Sequence, residues 1–257
     1  MASIGIDIGS TAAKAAVMED GKLVATIVEP TGFNSVDAGN RLAARLADLG
    51  YNTQDHPVVA TGYGRVSVAF ASKTVTEITC HGLGASYLFG SDGVVIDIGG
   101  QDTKVIQLAN GRVKKFVMND KCAAGTGKFL EVMADRLGVT QDTMGAMART
   151  GKLVSISSMC TVFAESEVIS LIGRGEPREN IANGVIESVV GRVCSLAGAT
   201  LGSQSADAPC FLTGGLCENE YVIERLAANL KRQVITCPEA RFAGAIGAAI
   251  SASKIEQ

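Results

Sequence analysis

The amino-acid sequence predicts an α/β protein built from two similar lobes, and three observations indicate this class. The segment IGIDIGSTAAKAAVMEDGKL at residues 4–23 returns as VVIDIGGQDTKVIQLANGRV at residues 94–113, with a constant offset of ninety residues. Strand and helix patterns alternate along the chain. The 257 residues exceed what a single core commonly holds, and 30 glycines without a tryptophan suit many tight strand-to-helix turns.

Each copy of the repeat is typical of a buried strand followed by antiparallel strands. In both copies an Ile-Asp-Ile-Gly run ends the first strand, and the turns Asp20-Gly21 and Asn110-Gly111 occupy matching positions further on. Asp-Gly and Asn-Gly are strong signals for two-residue hairpins because both residues tolerate a positive φ. Two copies of one motif therefore imply two similar lobes.

The remaining elements follow in chain order. Between the copies the pattern predicts a helix at about 35–49, a short strand in PVVATG and an apolar helix at about 79–88. After the second copy helices dominate, near 125–137, 140–149, 161–173 and 178–202. A strand in CFLTGG, a helix near 218–231, a strand in QVIT and a final helix from about 241 complete the chain.

Composition excludes several classes of protein. The 23 basic and 26 acidic side chains give a net charge of -3 without a basic cluster, so no nucleic-acid partner is expected. The N-terminus carries no signal-peptide pattern, and the apolar stretches are short, so we expect a cytoplasmic protein that does not enter a membrane. The seven cysteines should then stay reduced.

The duplicated turns are typical of phosphate binding. Each glycine-bearing turn offers backbone N–H groups, and an aspartate at a strand end is suited to a hydrated Mg²⁺. We expect Asp7 and Asp97 to hold Mg²⁺ and its waters. The phosphate contacts predicted in the first turn are Gly9, Ser10, Thr11 and Lys14. A third element, LTGGLCENE at residues 212–220, offers Gly214 and Gly215 for the close approach of adenosine.

Two cysteines differ in context from the other five. Cys122 in NDKCAAGTGKFLEV and Cys160 in SSMCTVFAESE lie in polar, glycine- or serine-bearing segments that precede helical patterns. The others are predicted to be buried structural thiols: Cys80, Cys194, Cys210, Cys217 and Cys237. An iron-sulfur cube requires four thiolates, so two open cysteines in a chain favour a homodimer that shares one cluster across its two-fold axis.

The motifs IDIGST, IDIGGQD and LTGG resemble the phosphate-1, phosphate-2 and adenosine motifs of the actin-like ATPase superfamily, and the resemblance covers most of the chain. It implies a ribonuclease-H-like core in each of two lobes, with ATP and Mg²⁺ in the cleft. In this fold the C-terminal helix returns to the first lobe. The implied lobes are therefore residues 1–92 with 241–257, and residues 93–240.

A closer resemblance rests on MNDKCAAGTGKFLEVMA and SSMCTVFAESEVIS, with TEITCHGLGA and ATGYGR upstream. These segments are similar to the ATP-dependent activators of 2-hydroxyacyl-CoA dehydratases and to the ATPase subunits of benzoyl-CoA reductases. The resemblance implies a homodimer with one 4Fe-4S cluster held by Cys122 and Cys160 of both chains. It also implies an ATP-driven one-electron reductase that receives its electron from ferredoxin or flavodoxin and passes it to an iron-sulfur enzyme. We expect a stand-alone activator rather than a larger fused form.

Within that mechanism Asp97 and Gln101 are the predicted catalytic residues. Gly99, Gly100 and Gln101 would lie on the γ-phosphate side, and Gln101 would position the attacking water unless it only stabilises its own turn. Lys14 is either a phosphate ligand or an outward-facing strand lysine, and for Lys104 the outward position is favoured.

Two alternative functions keep the fold but lack a cluster. In the first, the protein is a small-molecule kinase in which Asp97 acts as a general base toward a hydroxyl acceptor. In the second, it is an ATP-gated regulatory or chaperone-like binding protein without electron transfer. Both alternatives predict a colourless protein, whereas the reductase is predicted to be brown.

Overall fold

A computed structural model describes residues 1–119, 121–156, 160–202, 205 and 208–255. The chain divides into two compact units. The first comprises Met1–Val95, Ile106–Phe116 and Glu239–Gln257, and the second comprises Ile96–Val105 and Val117–Pro238. Asp120 and residues 157–159, which belong to the two predicted cysteine motifs, lie outside the described residues.

The first sheet has five strands in the order β3-β2-β1-β4-β5. The strands are β1 (Ala2–Ile8), β2 (Ala12–Glu19), β3 (Lys22–Pro30), β4 (Val58–Thr61) and β5 (Lys73–Thr74). β2 runs antiparallel to β1 and β3, whereas β4 runs parallel to both β1 and β5. Every residue of the central strand β1 is buried, because helices cover both faces of the sheet.

Helix α1 (Ser35–Asp48) covers one face of the first sheet. It begins after Asn34, whose side-chain oxygen accepts a hydrogen bond from the backbone N–H of Val36 at 2.8 Å. The buried Leu42 and Leu46 of α1 belong to the same core cluster as alternate isoleucines of β1.

Helices α2 (Glu77–Phe89) and α8 (Ala243–Ala252) also belong to the first unit. Glycines allow a close backbone approach here, because a Cβ atom at Gly5 would collide with the carbonyl oxygen of Ala245. A Cβ at Gly247 of α8 would likewise collide with the carbonyl oxygen of Cys80 in α2. Helix α8 therefore packs tightly against both β1 and α2.

The second sheet also has five strands, in the order β10-β9-β6-β7-β8. They are β6 (Val94–Ile98), β7 (Thr103–Ala109), β8 (Arg112–Asn119), β9 (Cys210–Gly214) and β10 (Val234–Ile235). β10 runs parallel to β9. Five helices complete this part of the chain: α3 (Gly127–Leu137), α4 (Gln141–Ala148), α5 (Thr161–Gly173), α6 (Arg178–Leu201) and α7 (Glu220–Leu230).

The predicted internal repeat is confirmed in the backbone geometry. In the first turn the N–H of Gly9 donates to the carbonyl of Ala12 at 3.1 Å, and in the second the N–H of Gly99 donates to that of Asp102 at 2.9 Å. The next turn along each copy has a positive φ at both central residues, 49° and 76° at Asp20-Gly21 and 53° and 67° at Asn110-Gly111. Both are the two-residue hairpins that the sequence predicts.

Element boundaries differ from prediction where capping residues intervene. The helix predicted from 125 begins at Gly127, because Gly125 has a φ of 84° and Thr126 is extended. The last helix begins at Ala243 after a 3-10 turn at Pro238–Phe242.

Among the described residues, only α6 has the length and apolar composition of a membrane-crossing helix. Half of its most apolar stretch is buried inside the protein, as in the core helix of a globular domain.

Candidate functional site

The first glycine-bearing turn connects β1 to β2 and is tied to the end of β3. The hydroxyl of Thr31 donates to the carbonyl of Gly9 at 2.7 Å, and the backbone N–H of Thr31 donates to the carbonyl of Thr11 at 2.9 Å. Ser10 and Thr11 lie at the tip, where Thr11 is exposed and Ser10 is half-buried. The turn is therefore fixed at its base, and its hydroxyl-bearing residues are accessible.

Asp7 lies at the end of β1, beside this turn. Its side chain is buried, and its Oδ1 has no hydrogen-bond donor among the described residues. A Cβ atom at Gly62 would collide with Oδ1, and one at Gly244 would lie 2.5 Å from Oδ2, so the backbone closely surrounds the carboxylate. A buried carboxylate oxygen without a donor is costly to maintain, and a cation or its bound water would satisfy it.

Lys14 is the direct neighbour of Asp7 across the β1–β2 pair. Residues that are paired across two strands project from the same face of the sheet, so the side chains of Lys14 and Asp7 share one face. Lys14 is half-buried and has no ion pair among the residues that the structure describes. Its charge therefore remains available to an anion.

The second turn differs in its electrostatics. Asp97 is buried at the end of β6, and its Oδ1 accepts a hydrogen bond from the hydroxyl of Thr213 at 2.7 Å. Its Oδ2 lies 3.3 Å from Nζ of Lys104, and the same ammonium lies 2.8 Å from Oδ2 of Asp102. Asp97 is thus paired with a lysine, whereas Oδ1 of Asp7 has no donor among the described residues.

The predicted outward position of Lys104 is wrong, since only 1% of the residue is exposed. An outward position requires that one face of the strand be open to solvent. However, β7 is buried along almost its whole length, so both faces of the strand are covered and no outward position exists. The acidic residue at 102 was the available signal, because a buried lysine requires a carboxylate partner.

Gln101 lies exposed within the second turn. The neighbouring glycines use their carbonyl groups to hold the next helix: the backbone N–H groups of Gly127 and Lys128 donate to the carbonyls of Gly99 and Gly100 at 2.9 and 2.8 Å. The first turn of α3 is therefore attached directly to the predicted γ-phosphate turn.

The predicted adenosine element ends β9 beside the same turn. Gly214 has a φ of 89°, and a Cβ atom there would collide with the carbonyl oxygen of Ile98. The N–H of Gly215 donates to that same carbonyl at 3.1 Å, and Gly215 itself is exposed with open space at its Cβ position. Glycine is thus required at 214 by the backbone, while 215 leaves room for a ligand.

Cys122 and Cys160 are the exposed members of the seven cysteines. Cys80, Cys210 and Cys217 are buried, as predicted, whereas Cys194 and Cys237 are only half-buried. Burial raises the thiol pKa of Cys80 to about 12 and that of Cys194 to about 11, and it also raises the pKa of Cys210. Those three thiols are held in the protonated form, which does not ligate metals.

The segment that carries Cys122 is a loop rather than the start of a helix. The side-chain amide of Asn119 donates to the carbonyls of Cys122 and Ala124 at 2.9 and 3.0 Å. The buried hydroxyl of Thr103 donates to the carbonyl of Gly125 at 2.6 Å. The loop is therefore anchored to β7, and Cys122 also lines a cavity of about 730 Å³ beside α6.

Cys160 is the N-terminal cap residue of α5. Helices α3 and α5, which follow the two cysteines, are joined by an ion pair between Arg136 and Glu165. Among the described residues, no group of three or more His, Cys, Asp and Glu side chains is arranged to hold a metal ion.

The fold, with two aspartate-ended strands that enter glycine-bearing turns, defines a protein of the actin-like ATPase class. The chain belongs to the BadF/BadG/BcrA/BcrD ATPase family, whose model matches residues 4–252. The predicted resemblance and fold class are confirmed.

Relatives and solved structures agree with this assignment. The chain is 43% identical to the activator of lactoyl-CoA dehydratase from Anaerotignum propionicum, over 100% of this chain and 99% of the relative. The crystal structure of component A of (R)-2-hydroxyglutaryl-CoA dehydratase from Acidaminococcus fermentans has a TM-score of 0.91 at 40% identity, covering 99% and 98% of the two chains.

The activator of 2-hydroxyisocaproyl-CoA dehydratase from Clostridium difficile, solved with bound ADPNP, has a TM-score of 0.89 at 36% identity. It covers 100% of this chain and 99% of that one. More distant solved structures, at 15% and 14% identity, have TM-scores of 0.65 and 0.63, and this likeness shows the fold alone.

Proposed function

We propose that this ATPase is an ATP-driven one-electron reductase that activates an iron-sulfur partner enzyme, such as a 2-hydroxyacyl-CoA dehydratase. It would act as a homodimer and receive its electron from ferredoxin or flavodoxin in the cytoplasm. The observation that carries the proposal is the exposure of Cys122 and Cys160 alone among seven cysteines. Relatives that share the whole length of the chain are dehydratase activators.

The cysteine chemistry suits a 4Fe-4S cluster shared by two chains. Cys122 and Cys160 are exposed, whereas burial keeps Cys80, Cys194 and Cys210 protonated. A cube needs four thiolates, so two chains together would supply the full set. When bound, such a cluster supplies the one-electron redox chemistry. The chain itself contributes the thiolate ligands and the helices that begin near them.

The first turn suits Mg²⁺ and the phosphates of ATP. Oδ1 of Asp7 lacks a donor, and Lys14 on the same face of the sheet lacks an ion pair among the described residues. Asp7 would accept hydrogen bonds from metal-bound water, and Lys14, Ser10 and Thr11 would contact phosphate oxygens.

The second turn would complete the nucleotide site. Gly99, Gly100 and Gln101 would lie beside the γ-phosphate, with Gln101 positioning water. Gly214 and Gly215 would approach the adenosine. Asp97 is already paired with Lys104, so we assign it to hydrogen bonding with water near the metal rather than to direct coordination.

Hydrogen bonds would couple ATP hydrolysis to the cysteines that hold the cluster. The γ-phosphate turn accepts hydrogen bonds from the first turn of α3, and Thr103 at the end of that turn holds the cysteine loop through Gly125. A change in the turn during hydrolysis would therefore shift the loop that carries Cys122. The Arg136–Glu165 ion pair would extend the movement from α3 to α5 and Cys160.

The iron content of the purified protein distinguishes the proposed reductase from the kinase and regulatory alternatives. Protein purified without oxygen should contain about four iron atoms per dimer and lose its colour in air. Cys122→Ser and Cys160→Ser should each abolish iron binding. Cys194→Ser and Cys210→Ser are the matched controls, and they should retain the iron. A colourless protein, or iron retained in all four variants, would contradict the ligand assignment.

ATP gating requires a separate measurement. The dithionite-reduced protein is mixed with lactoyl-CoA dehydratase, and reduction of the dehydratase cluster is followed by electron paramagnetic resonance. We expect transfer with ATP and none without nucleotide or with ADPNP. Cys122→Ser should still bind ADPNP, because Asp7 and the first turn belong to β1 and β2, whereas Cys122 lies in the loop after β8. Equal transfer under all three conditions would identify a simple electron carrier instead.

A further inference from the structure

The loop after β4 contains the motif ATGYGR, to which the proposed function gives no role. β1 and β4 run parallel with Asp7 paired with Thr61, so the residues that follow each strand meet at one edge of the sheet. The backbone N–H of Gly64 donates to the carbonyl of Ile8 at 2.9 Å. The loop is therefore fixed against the end of β1.

Gly62 brings this loop into contact with the Asp7 carboxylate. Its φ is 85°, and a Cβ atom at this position would collide with Oδ1 of Asp7 and with the carbonyl oxygen of Ile8. No other residue type fits at this position. Because Oδ1 is the oxygen without a donor, the loop lies directly beside the predicted metal and phosphate site.

Arg65 is the charged residue of the loop. Its Nη1 donates to the carbonyl of Gly62 at 3.0 Å, which holds the guanidinium against the glycine that packs on Asp7 and Ile8. Arg65 is half-buried and has no carboxylate partner among the described residues. Arg41 and Arg45 of the same unit, by contrast, both form ion pairs with Glu29. Arg65 thus keeps most of its five donors available.

We propose that Arg65 contacts the phosphate chain of ATP, in addition to Lys14 and the first turn. A guanidinium can donate two parallel hydrogen bonds to phosphate oxygens and neutralise charge that develops during phosphoryl transfer. Neither Lys14 nor Arg65 forms an ion pair among the described residues. Lys14 is paired with Asp7 across the sheet, and the loop of Arg65 contacts Asp7 through Gly62. A Mg²⁺-bound nucleotide would supply the cation that Oδ1 of Asp7 lacks and the anionic oxygens that the two side chains can bind. This inference rests on the proposed ATP site and adds a residue to it.

The test compares nucleotide and nucleoside binding in Arg65→Gln. Isothermal titration would measure the affinity for ADPNP with Mg²⁺ and for adenosine. We expect a loss of about tenfold or more for ADPNP, because a hydrogen-bonded ion pair with phosphate is removed. Adenosine affinity and the melting temperature without ligand should stay close to wild type. Arg45→Gln is the matched control and should bind both ligands like wild type.

The outcomes separate the two levels of the proposal. If wild-type protein does not bind ADPNP, the proposed function fails and this inference fails with it. If wild type binds but Arg65→Gln binds equally well, only the role of Arg65 is overturned. An equal loss of adenosine binding would also overturn it, because that result indicates a collapsed loop.

Chemical modification of the wild-type protein tests the same contact if Arg65→Gln does not fold. Phenylglyoxal modifies accessible arginines, and mass spectrometry reports the rate at each position. ADPNP with Mg²⁺ should slow modification of Arg65 severalfold, whereas adenosine should not. An unchanged rate in the presence of saturating ADPNP would overturn the contact.

Discussion

Replacing Lys104 with methionine tests the buried charge cluster of the second lobe. Nζ of Lys104 lies 2.8 Å from Oδ2 of Asp102 and 3.3 Å from Oδ2 of Asp97. The side chain of Asp97 is 2% exposed, whereas that of Asp102 is 24% exposed. Lys104→Met therefore removes the ammonium from a buried carboxylate, that of Asp97, while the carboxylate of Asp102 can still be hydrated.

The expected loss in free energy of unfolding follows from the difference in burial between Asp97 and Asp102. Removing one partner of a buried ion pair costs about 3–5 kcal/mol, because the remaining charge has lost its compensation. The partly hydrated Asp102 adds little to this loss. Domains of this kind are commonly stable by about 5–15 kcal/mol, so the variant should lose a large fraction of its stability.

Urea unfolding followed by far-UV circular dichroism measures the effect. Adding Asp97→Asn to Lys104→Met should recover most of the loss, because the amide oxygen still accepts from Thr213 and the buried charge is gone. Lys128→Met is the matched control. It removes an exposed pair with Glu131 and should change the free energy of unfolding by no more than about 0.5 kcal/mol. Equal effects of Lys104→Met and Lys128→Met would refute the reasoning.

Asp7, Thr103 and Cys80 each make a contact whose removal has a measurable effect. Asp7→Asn should leave the free energy of unfolding unchanged or raise it by about 1 kcal/mol, since Oδ1 has no donor, yet lower Mg²⁺-ADPNP affinity about tenfold in titration calorimetry. Thr103→Val removes the donor to Gly125; hydrolysis should persist while electrons delivered per ATP fall about fivefold or more in coupled assays. Cys80→Ala concerns pH. The folded thiol has a pKa of about 12 through burial, above its unfolded value near 9, so wild-type stability is complete below about pH 9 and is lost as the pH rises toward 12. In anaerobic urea titrations between about pH 9 and 10.5 the variant should lose about 1 kcal/mol less per pH unit than wild type. Parallel slopes would contradict the burial argument.

The repeat made the fold predictable because it determines strands and turns locally. A two-residue Asp-Gly or Asn-Gly turn requires positive φ at both positions, so Asp20-Gly21 and Asn110-Gly111 identify hairpins without tertiary information. The exposure of Cys122 and Cys160 was also predictable, since polar and glycine-bearing neighbours do not form a core. Local chemistry was sufficient in these cases.

The charge cluster around Lys104 and the ties to α3 were not predictable in the same way. They depend on which strands become central and on which carbonyls the next helix meets, and both are set by long-range packing. The hydrogen bonds from Gly127 and Lys128 to the second turn involve backbone groups, which carry no residue-specific signal. The motif ATGYGR does not by itself locate the Arg65 guanidinium, because its position depends on the packing of Gly62 against Asp7.

The two copies of the repeat differ at the positions that separate their roles. At the offset of ninety residues, Ala12 of the first turn corresponds to Asp102 of the second, and Ala13 corresponds to Thr103. Asp102 holds Lys104 inside the second lobe, whereas no acidic residue stands at position 12 to hold Lys14.

The second difference concerns the link to the cysteine loop. Thr103 donates to the loop through Gly125, a hydrogen bond that alanine at position 13 is unable to form. We infer that the charges of Asp7 and Lys14 in the first copy are available to the nucleotide. In the second copy Lys104 pairs with Asp97, and Thr103 attaches the loop that carries Cys122. Exchanging Thr103 for the alanine of the first copy should therefore weaken coupling without removing the first turn's affinity for phosphate.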